Sequence, residues 1–500
     1  MTDAPAEPVA SRPKLSEIFL PRIGGFFLVL VLALFLFETP LKLLWDGGCA
    51  RAYVNGLFIL REHYIPRHDF YWAINPKSFF QTYEILADMI YTIPYVLAGL
   101  NGVVLAGALA ISVSIAWCYQ FSRQRGMGMI PAILLSIASM YASSIHWSAR
   151  PHVLTYIPFL AMYYLCFCWN EQFSKRARIT TAAITIGLWA NTHGSYMIGM
   201  AMLACVCASD LLPSRRAFLK QDVVMATVAG LASCLTLRGL GFFMYVANYA
   251  LNPVIGQRSG EWRALDLSVG PAVWTYLVLA IILFVCLFNA RKVMNVGEIA
   301  FMTLLFLFSV DSMRAIPYCA LAIPVACAPA WRQLSERASG QKFFQLDDRL
   351  SRQEFRNSPG AALWVGITAI MAAVFLFVPS MKVRDFNPET CPVACSDYII
   401  SHHLDGLGFN WDNWGSYLYW KLGRGVFIDD KTDYFPRDFL EEYATLYFTH
   451  PGWEKVLAKW NFQWVLIQSH TPLAEYLAKD STHWTVVCRD PDSVLFLPKH

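Results

Sequence analysis

Apolar segments that recur along most of the chain constrain its fold more than any other feature of the sequence. Hydrophobic residues make up 56% of the 500 residues and charged residues only 15%. A soluble domain carries roughly 25% charged residues, so this composition predicts a polytopic membrane protein. A helix needs ~20 apolar residues to cross a bilayer, and we identify about eleven candidate spans. They lie near 23–44, 95–120, 128–145, 153–170, 179–191, 196–212, 222–237, 272–290, 297–311, 315–331 and 361–379.

The distribution of Lys and Arg predicts the orientation of these spans. Short cytoplasmic loops carry an excess of basic residues, and the basic clusters fall on one side when the N-terminus is placed inside. These clusters lie at 123–125, 175–178, 215–220, 291–292 and 332–356. The same parity requires 179–191 and 196–212 to be two separate passes. The basic residues form no continuous face, which argues against a nucleic-acid-binding protein.

This topology divides the chain into three parts. Residues 1–21 are predicted to be a retained cytoplasmic tail, and 22–379 a transmembrane domain. Within that domain, 45–94 forms a long first outer loop with two helices at the membrane interface, near 49–62 and 79–92. Residues 380–500 alternate β-like runs, such as "GVFIDD" and "FQWVLIQ", with helix-like runs, and they predict a small extracytoplasmic α/β domain. The pattern leaves open whether its sheet is parallel or mixed. The expected location is a bacterial inner membrane, with this domain in the periplasm.

Ionisable and amide side chains collect in the connections predicted to face outward. In the predicted span 179–191, the twelve residues from Ile179 to Ala190 cover only ~18 Å at 1.5 Å per residue. The apolar core of a bilayer is ~30 Å thick, so the turn after this span is expected below the membrane surface. Polar groups at that depth are tolerated only against protein or a wet cavity. We therefore predict a recessed cavity that opens outward. Its candidate residues are Asp46, Asp69 and Glu84 as acid–base groups, and Arg150, His152, Asn191, His193, Glu261 and Arg314 as substrate-binding groups.

Each candidate also has a plain structural interpretation. Asp69 can brace its loop, and Glu84 can pair with an arginine. Arg314 and Arg150 can form ion pairs, or can bind a phosphate through the bidentate geometry of the guanidinium group. His193 and Asn191 can pack between short spans. Similarly, the predicted outer face includes Cys391, which can pair with Cys395 or Cys488 or remain a free thiol; the spacings fit no zinc motif.

Several segments, in order along nearly the whole chain, resemble the GT-C superfamily of membrane glycosyltransferases. Within it, they are similar to a bacterial group with an extracytoplasmic C-terminal domain. The resembling segments are "NGLFILREHYIPRHDF", "SARPHVLTYIPFL", "LWANTHGSYMIG", "LNPVIGQRSGEW", "SMRAIPYCALAIP", "NWDNWGSYLYWKLGRGVFIDDKTDYF" and "PGWEKVLAKWNFQWVLI".

The resemblance implies transfer of a sugar from a polyprenyl-phosphate-linked donor to a glycan, lipid or protein acceptor. It also implies an acidic residue soon after the first span that acts as general base, and in some branches binds a metal. Asp46 is the best positional match and Asp69 the second; a divalent cation is left open. Where relatives tend to carry an acidic residue and a histidine, this chain has Gly48 and Ala52. A non-catalytic membrane partner in an envelope assembly therefore stays as the alternative. A transporter is disfavoured, because the polar groups gather at one face and no inverted repeat is visible.

Overall fold

The computed structural model describes residues 24–169, 174–250, 263–291, 294–357, 360–431 and 433–499. The predicted tail at 1–21 and the candidate residue Glu261 lie outside these ranges.

A helix occupies each predicted span, which confirms the prediction of a polytopic helical membrane protein. Five helical stretches are long and apolar enough to cross a membrane: Leu100–Gln124, Met129–His146, Pro151–Cys168, Pro271–Ala290 and Met313–Arg337. Shorter apolar helices lie at Gly25–Glu38, Tyr196–Ser209 and Ala361–Phe377. The remaining predicted spans are helices at Lys175–Ala190, Leu219–Ser233 and Val296–Asp311.

Ion pairs bring three segments that are predicted to lie on the cytoplasmic side together at one end of the bundle. At one end, Arg125 contacts Glu298 at 2.5 Å and Arg123 contacts Glu354 at 2.9 Å. These pairs join the connection after Leu100–Gln124 to the start of Val296–Asp311 and to the amphipathic helix Lys342–Asn357. The candidate polar residues meet at the other end.

The first long loop contains the predicted helix Ala50–Glu62, but its second predicted helix starts later than expected. Helix Ile85–Ala98 replaces the predicted 79–92, and that predicted start was wrong. The preceding residues are held in an extended pairing instead: the Asp69 amide donates to the Ser78 carbonyl at 2.9 Å. Gly99, with φ of +62°, then separates this helix from Leu100–Gln124. A left-handed φ of this kind is tolerated best by glycine.

The C-terminal domain has a four-stranded mixed sheet, which answers the question that the sequence left open. Its strands are β1 (Gly408–Asn410), β2 (Trp464–Gln468), β3 (Trp484–Arg489) and β4 (Ser493–Pro498), in the order β1-β2-β4-β3. Only the β1–β2 pair is parallel. Helices at Val393–Ser401, Gly415–Leu422, Arg437–Tyr447, Trp453–Trp460 and Pro472–Lys479 surround the sheet.

The predicted strand "GVFIDD" does not join this sheet. Its Val426 pairs with the first long loop: the Val426 amide donates to the Tyr71 carbonyl at 2.8 Å, and the Ala73 amide donates to the Val426 carbonyl at 2.9 Å. The strand prediction was therefore wrong, because backbone pairing across the domain junction satisfies this segment. The pairing carries the acidic residues that follow, Asp429 and Asp430, to the end of the helix bundle.

Candidate active site at one end of the helix bundle

Arg150 is at the centre of the charged cluster. Its guanidinium lies 3.1 Å from the Asp46 carboxylate and 2.6 Å from the Asp430 carboxylate. Asp46 and Arg150 are buried, and the Asp430 side chain is 9% exposed. Because a Cβ atom on Gly48 would lie 1.7 Å from Arg150 Nη2, only glycine at position 48 leaves room for the guanidinium in this place.

Asp46 lies in the connection after the first span, and both of its carboxylate oxygens have a partner. Asp46 caps a short helical turn, where Oδ1 accepts the Gly48 amide at 2.9 Å while Oδ2 faces Arg150. With both oxygens engaged in this way, the Asp46 carboxylate is a structural partner of the guanidinium.

Asp430 links the C-terminal domain to the membrane domain through two arginines. Besides Arg150, its carboxylate contacts Arg51 at 3.2 Å and accepts the Ser416 hydroxyl at 2.8 Å. Burial raises the pKa of Asp430, but Arg51 and Arg150 outweigh that effect and leave the pKa below its ordinary value. Asp430 is therefore ionised at neutral pH, and its carboxylate contacts both guanidinium groups.

Glu84 lies against the same arginines but has a different electrostatic environment. Its side chain is 8% exposed, and burial raises its pKa from 4.5 to about 7, although Arg51, Arg150 and Arg314 act in the opposite direction. Its carboxylate oxygens lie 3.7 Å from the Arg51 guanidinium and 3.8 Å from His193 Nε2. Within the described part of the chain, no hydrogen bond of 3.5 Å or less reaches the carboxylate oxygens of Glu84. This carboxyl group is thus the least committed of the acidic candidates and is able to exchange a proton near neutral pH.

The histidines beside Glu84 have assignable tautomers. His193 Nδ1 accepts the Ser195 amide at 3.1 Å, so a neutral ring carries its proton on Nε2, which faces Glu84. His152 Nε2 lies 2.8 Å from the His146 carbonyl oxygen and must donate to it, because a carbonyl only accepts. The ring centroids of His146 and His152 are 4.5 Å apart, and those of His152 and His193 are 6.4 Å apart.

Arg314 and Asn191, two further predicted residues, lie at the same end of the bundle. Arg314 lies in the short turn Met313–Ala315, where its charge lowers the pKa of Glu84. The Asn191 amide donates to the carbonyls of Gly187 at 2.9 Å and Leu235 at 2.8 Å. Asn191 therefore ties two connections together, and its side-chain nitrogen is occupied by backbone.

Asp69 lies in an adjacent cluster with Lys431. Its carboxylate accepts the Tyr71 and Trp72 amides at 3.0 and 3.3 Å, and the Lys431 ammonium lies 3.4 Å away. Lys431 also binds Asp429, and its ammonium lies 4.0 Å from the centre of the Tyr71 ring. Asp429 is therefore buried and shares the Lys431 ammonium with Asp69.

Sequence reasoning did not include Arg51, Asp430 or Lys431 among the site residues. Arg51 lies on a predicted interfacial helix, where an exposed charge is ordinary. The signal that could have identified the other two is the density of charge in "DDKTD" directly after an apolar run, since charges placed there are expensive unless they are paired.

The fold and this cluster define a polytopic helical membrane protein with a buried charged site between its helix bundle and an α/β domain. No known protein family and no curated protein sequence matches the chain. Among solved structures, the chain is similar to ArnT from Cupriavidus metallidurans in the apo state, with 15% identity, a TM-score of 0.48, and 94% of this chain and 97% of that chain covered. It is also similar to the archaeal oligosaccharyltransferase AglB from Archaeoglobus fulgidus, solved with an inhibitory peptide and a dolichol-phosphate. That match has 13% identity and a TM-score of 0.42, and covers 92% of this chain and 67% of that chain.

Proposed function

We propose that this protein is a membrane glycosyltransferase that moves a sugar from a polyprenyl-phosphate-linked donor to a glycan, lipid or protein acceptor in the cell envelope. In this proposal, the charged site and the C-terminal domain face the periplasm and the N-terminus is cytoplasmic. The observation that carries the proposal is the Glu84 carboxyl, which is buried among Arg51, Arg150 and Arg314 and has a pKa raised to about 7.

Glu84 has the properties that a general base for glycosyl transfer needs. An acceptor hydroxyl must lose its proton as the new bond to the anomeric carbon forms. A carboxylate whose pKa is close to the working pH does this best, because it is deprotonated yet still basic. We assign this role to Glu84 ahead of Asp46 and Asp69, whose carboxylates are already occupied by backbone amides and by Arg150 or Lys431.

The arginines supply the complementary half of the reaction. Cleavage of the bond between sugar and phosphate leaves negative charge on the departing phosphate oxygen. A fixed guanidinium group stabilises that charge by bidentate hydrogen bonding. Arg150 and Arg51 are held in place by Asp46 and Asp430, so they do not need to reorganise as the charge develops. Arg314, which enters from another turn, is the third candidate for the phosphate.

The remaining predicted residues take supporting roles in this proposal. His193 directs its Nε2–H at Glu84 and stabilises the carboxylate form. His152 lies behind it, and Asn191 fixes the turn that carries His193. Asp69 braces the first long loop against Lys431. A requirement for a divalent cation is left open, as are the sugar and the acceptor.

A deletion strain complemented with single variants tests the proposal against a non-catalytic scaffold. We expect Glu84→Gln to abolish the glycan product measured by mass spectrometry of envelope extracts, while the protein stays at its normal level in the membrane. Asp46→Asn and Asp69→Asn report whether either carboxylate also takes part, and Asp311→Asn, on an exposed position at the end of Val296–Asp311, is the matched control. Full product in the Glu84, Asp46 and Asp69 variants would leave the scaffold interpretation standing.

A further inference from the structure

Two thiols of the C-terminal domain lie next to each other at the N-terminal end of helix Val393–Ser401. The Sγ atoms of Cys395 and Cys488 and a carboxylate oxygen of Asp490 all lie within 4.8 Å of one another. Both cysteines pack into the same apolar cluster. The sequence alone left the pairing of the outer cysteines open, and the structure separates this pair from Cys391, whose Sγ faces the Trp45 carbonyl at 3.9 Å.

The backbone around the pair holds the two thiols together. A bulge in the β3–β4 ladder shifts the register between Val486 and Cys488 and places Cys488 opposite Leu495. Asp490, just beyond, accepts the amides of Ala394 at 2.9 Å and Cys395 at 3.0 Å. The helix that carries Cys395 is therefore anchored to the strand that carries Cys488, so the thiols cannot drift apart without loss of these hydrogen bonds.

The ligand set and the geometry favour a disulfide over a metal site at this place. Structural zinc sites are closed by four ligands, and the described residues supply three here. One of the three, Asp490, already accepts two backbone amides and the Ser493 hydroxyl at 2.9 Å. A disulfide needs only the two thiols, whose Sγ atoms already lie within 4.8 Å of each other, to close to a bond length of ~2.0 Å.

We propose that Cys395 and Cys488 are a modification site that forms a disulfide, which closes residues 395–488 into a covalent loop. The oxidant is a protein or small-molecule disulfide. The Cys488 thiolate attacks one of its sulfurs, that disulfide bond breaks, and the displaced thiolate takes up the Cys488 proton. Cys395 then attacks Cys488 Sγ in the mixed disulfide, the second thiolate leaves with the Cys395 proton, and the oxidant ends as two thiols.

The order of attack follows from exposure. Cys488 is half-buried and Cys395 is fully buried, so the oxidant reaches Cys488 first. Burial also raises the pKa of the Cys395 thiol above its ordinary value, which makes it the weaker nucleophile for the first step. The loop encloses most of the C-terminal domain, including Asp430. The disulfide would therefore restrict the unfolding of the segment that completes the Arg150 cluster.

Differential alkylation of the purified full chain tests this inference. The folded protein is incubated with excess oxidised glutathione, denatured with chelator and an alkylating reagent, reduced, and alkylated with a second reagent of different mass. We expect the second label on Cys395 and Cys488 together, and a linked peptide pair in the unreduced digest. Cys395→Ser and Cys488→Ser should each remove the pair, whereas Cys391→Ser should retain it.

Three outcomes would overturn the inference. One is first-reagent labelling of both thiols after oxidation, and another is a linked pair that contains Cys391. The third is stoichiometric zinc in the purified protein with both thiols labelled only after chelation. Because none of these readouts uses glycosyl transfer, the result is independent of the proposed function.

Discussion

Replacing Glu84 by Gln is expected to make the protein more stable at alkaline pH while it removes activity. Glutamine matches the size and neutral charge of protonated Glu84, so the contacts of the neutral side chain are retained. In the folded protein Glu84 keeps its proton up to about pH 7, compared with a usual value of 4.5. Between these two values the folded state binds more protons than the unfolded state, and stability therefore falls as the pH rises.

The size of this effect follows from the gap between the two pKa values. At about 1.4 kcal/mol per pH unit, the gap from 4.5 to about 7 corresponds to about 3 kcal/mol of stability lost by wild type above pH 7. The variant has no such loss. We therefore expect wild type and Glu84→Gln to have similar stability near pH 4.5, and the variant to be about 3 kcal/mol more stable at pH 8.5.

Thermal unfolding of the two purified proteins in the same detergent, followed from pH 4.5 to 8.5, measures this difference. The variant midpoint should rise above that of wild type with increasing pH, because all other titrating groups are shared. In transfer assays, wild-type kcat/KM should rise through about pH 7 and level off, and the variant should lose roughly 10²- to 10⁴-fold. A stability difference that does not change with pH, or a wild type that gains stability over the variant at alkaline pH, would refute the reasoning.

Two other substitutions test the parts around Glu84. Gly48→Ala places a methyl group on the Arg150 guanidinium, and we expect roughly 100-fold lower transfer because the charge is displaced. The control is Gly366→Ala, whose added methyl group meets no atom within 4 Å and should leave activity unchanged. Equal rates for both variants would contradict the role assigned to Arg150. Lys431→Met leaves two buried carboxylates without their shared cation and should cost about 3–5 kcal/mol. Chemical denaturation and limited proteolysis of the C-terminal domain would show this loss, and an unchanged midpoint would mean that the cluster is not a stabilising contact.

The membrane fold could be predicted because length and hydropathy act along the chain. Each predicted span needs only apolar residues near one another in sequence, and a helix is present at each. The candidate polar residues could likewise be assigned to one end of the bundle. They lie in the connections that follow every second span, and alternation of the spans places those connections on the same side.

The inner arrangement of the site could not be predicted, because it depends on pairings across long sequence separations. Asp430 reaches Arg150 only after the segment around Val426 leaves the sheet to pair with Tyr71. A β-like run has no local feature that shows whether its backbone will pair within the sheet or with the first long loop. The same separation hid the difference between Asp46 and Glu84. Both are acidic residues of the first long loop, and only the folded contacts show that one is fully bonded and the other is not.

Native mass spectrometry of the protein purified with its bound lipids tests the central claim most directly. If Glu84 is the base that discharges a lipid-phosphate donor, Glu84→Gln should retain a polyprenyl phosphate that still carries its sugar, while wild type carries mainly the sugar-free lipid. Arg150→Ala should carry neither. Identical bound lipids in wild type and Glu84→Gln, or no lipid phosphate in any variant, would contradict the account.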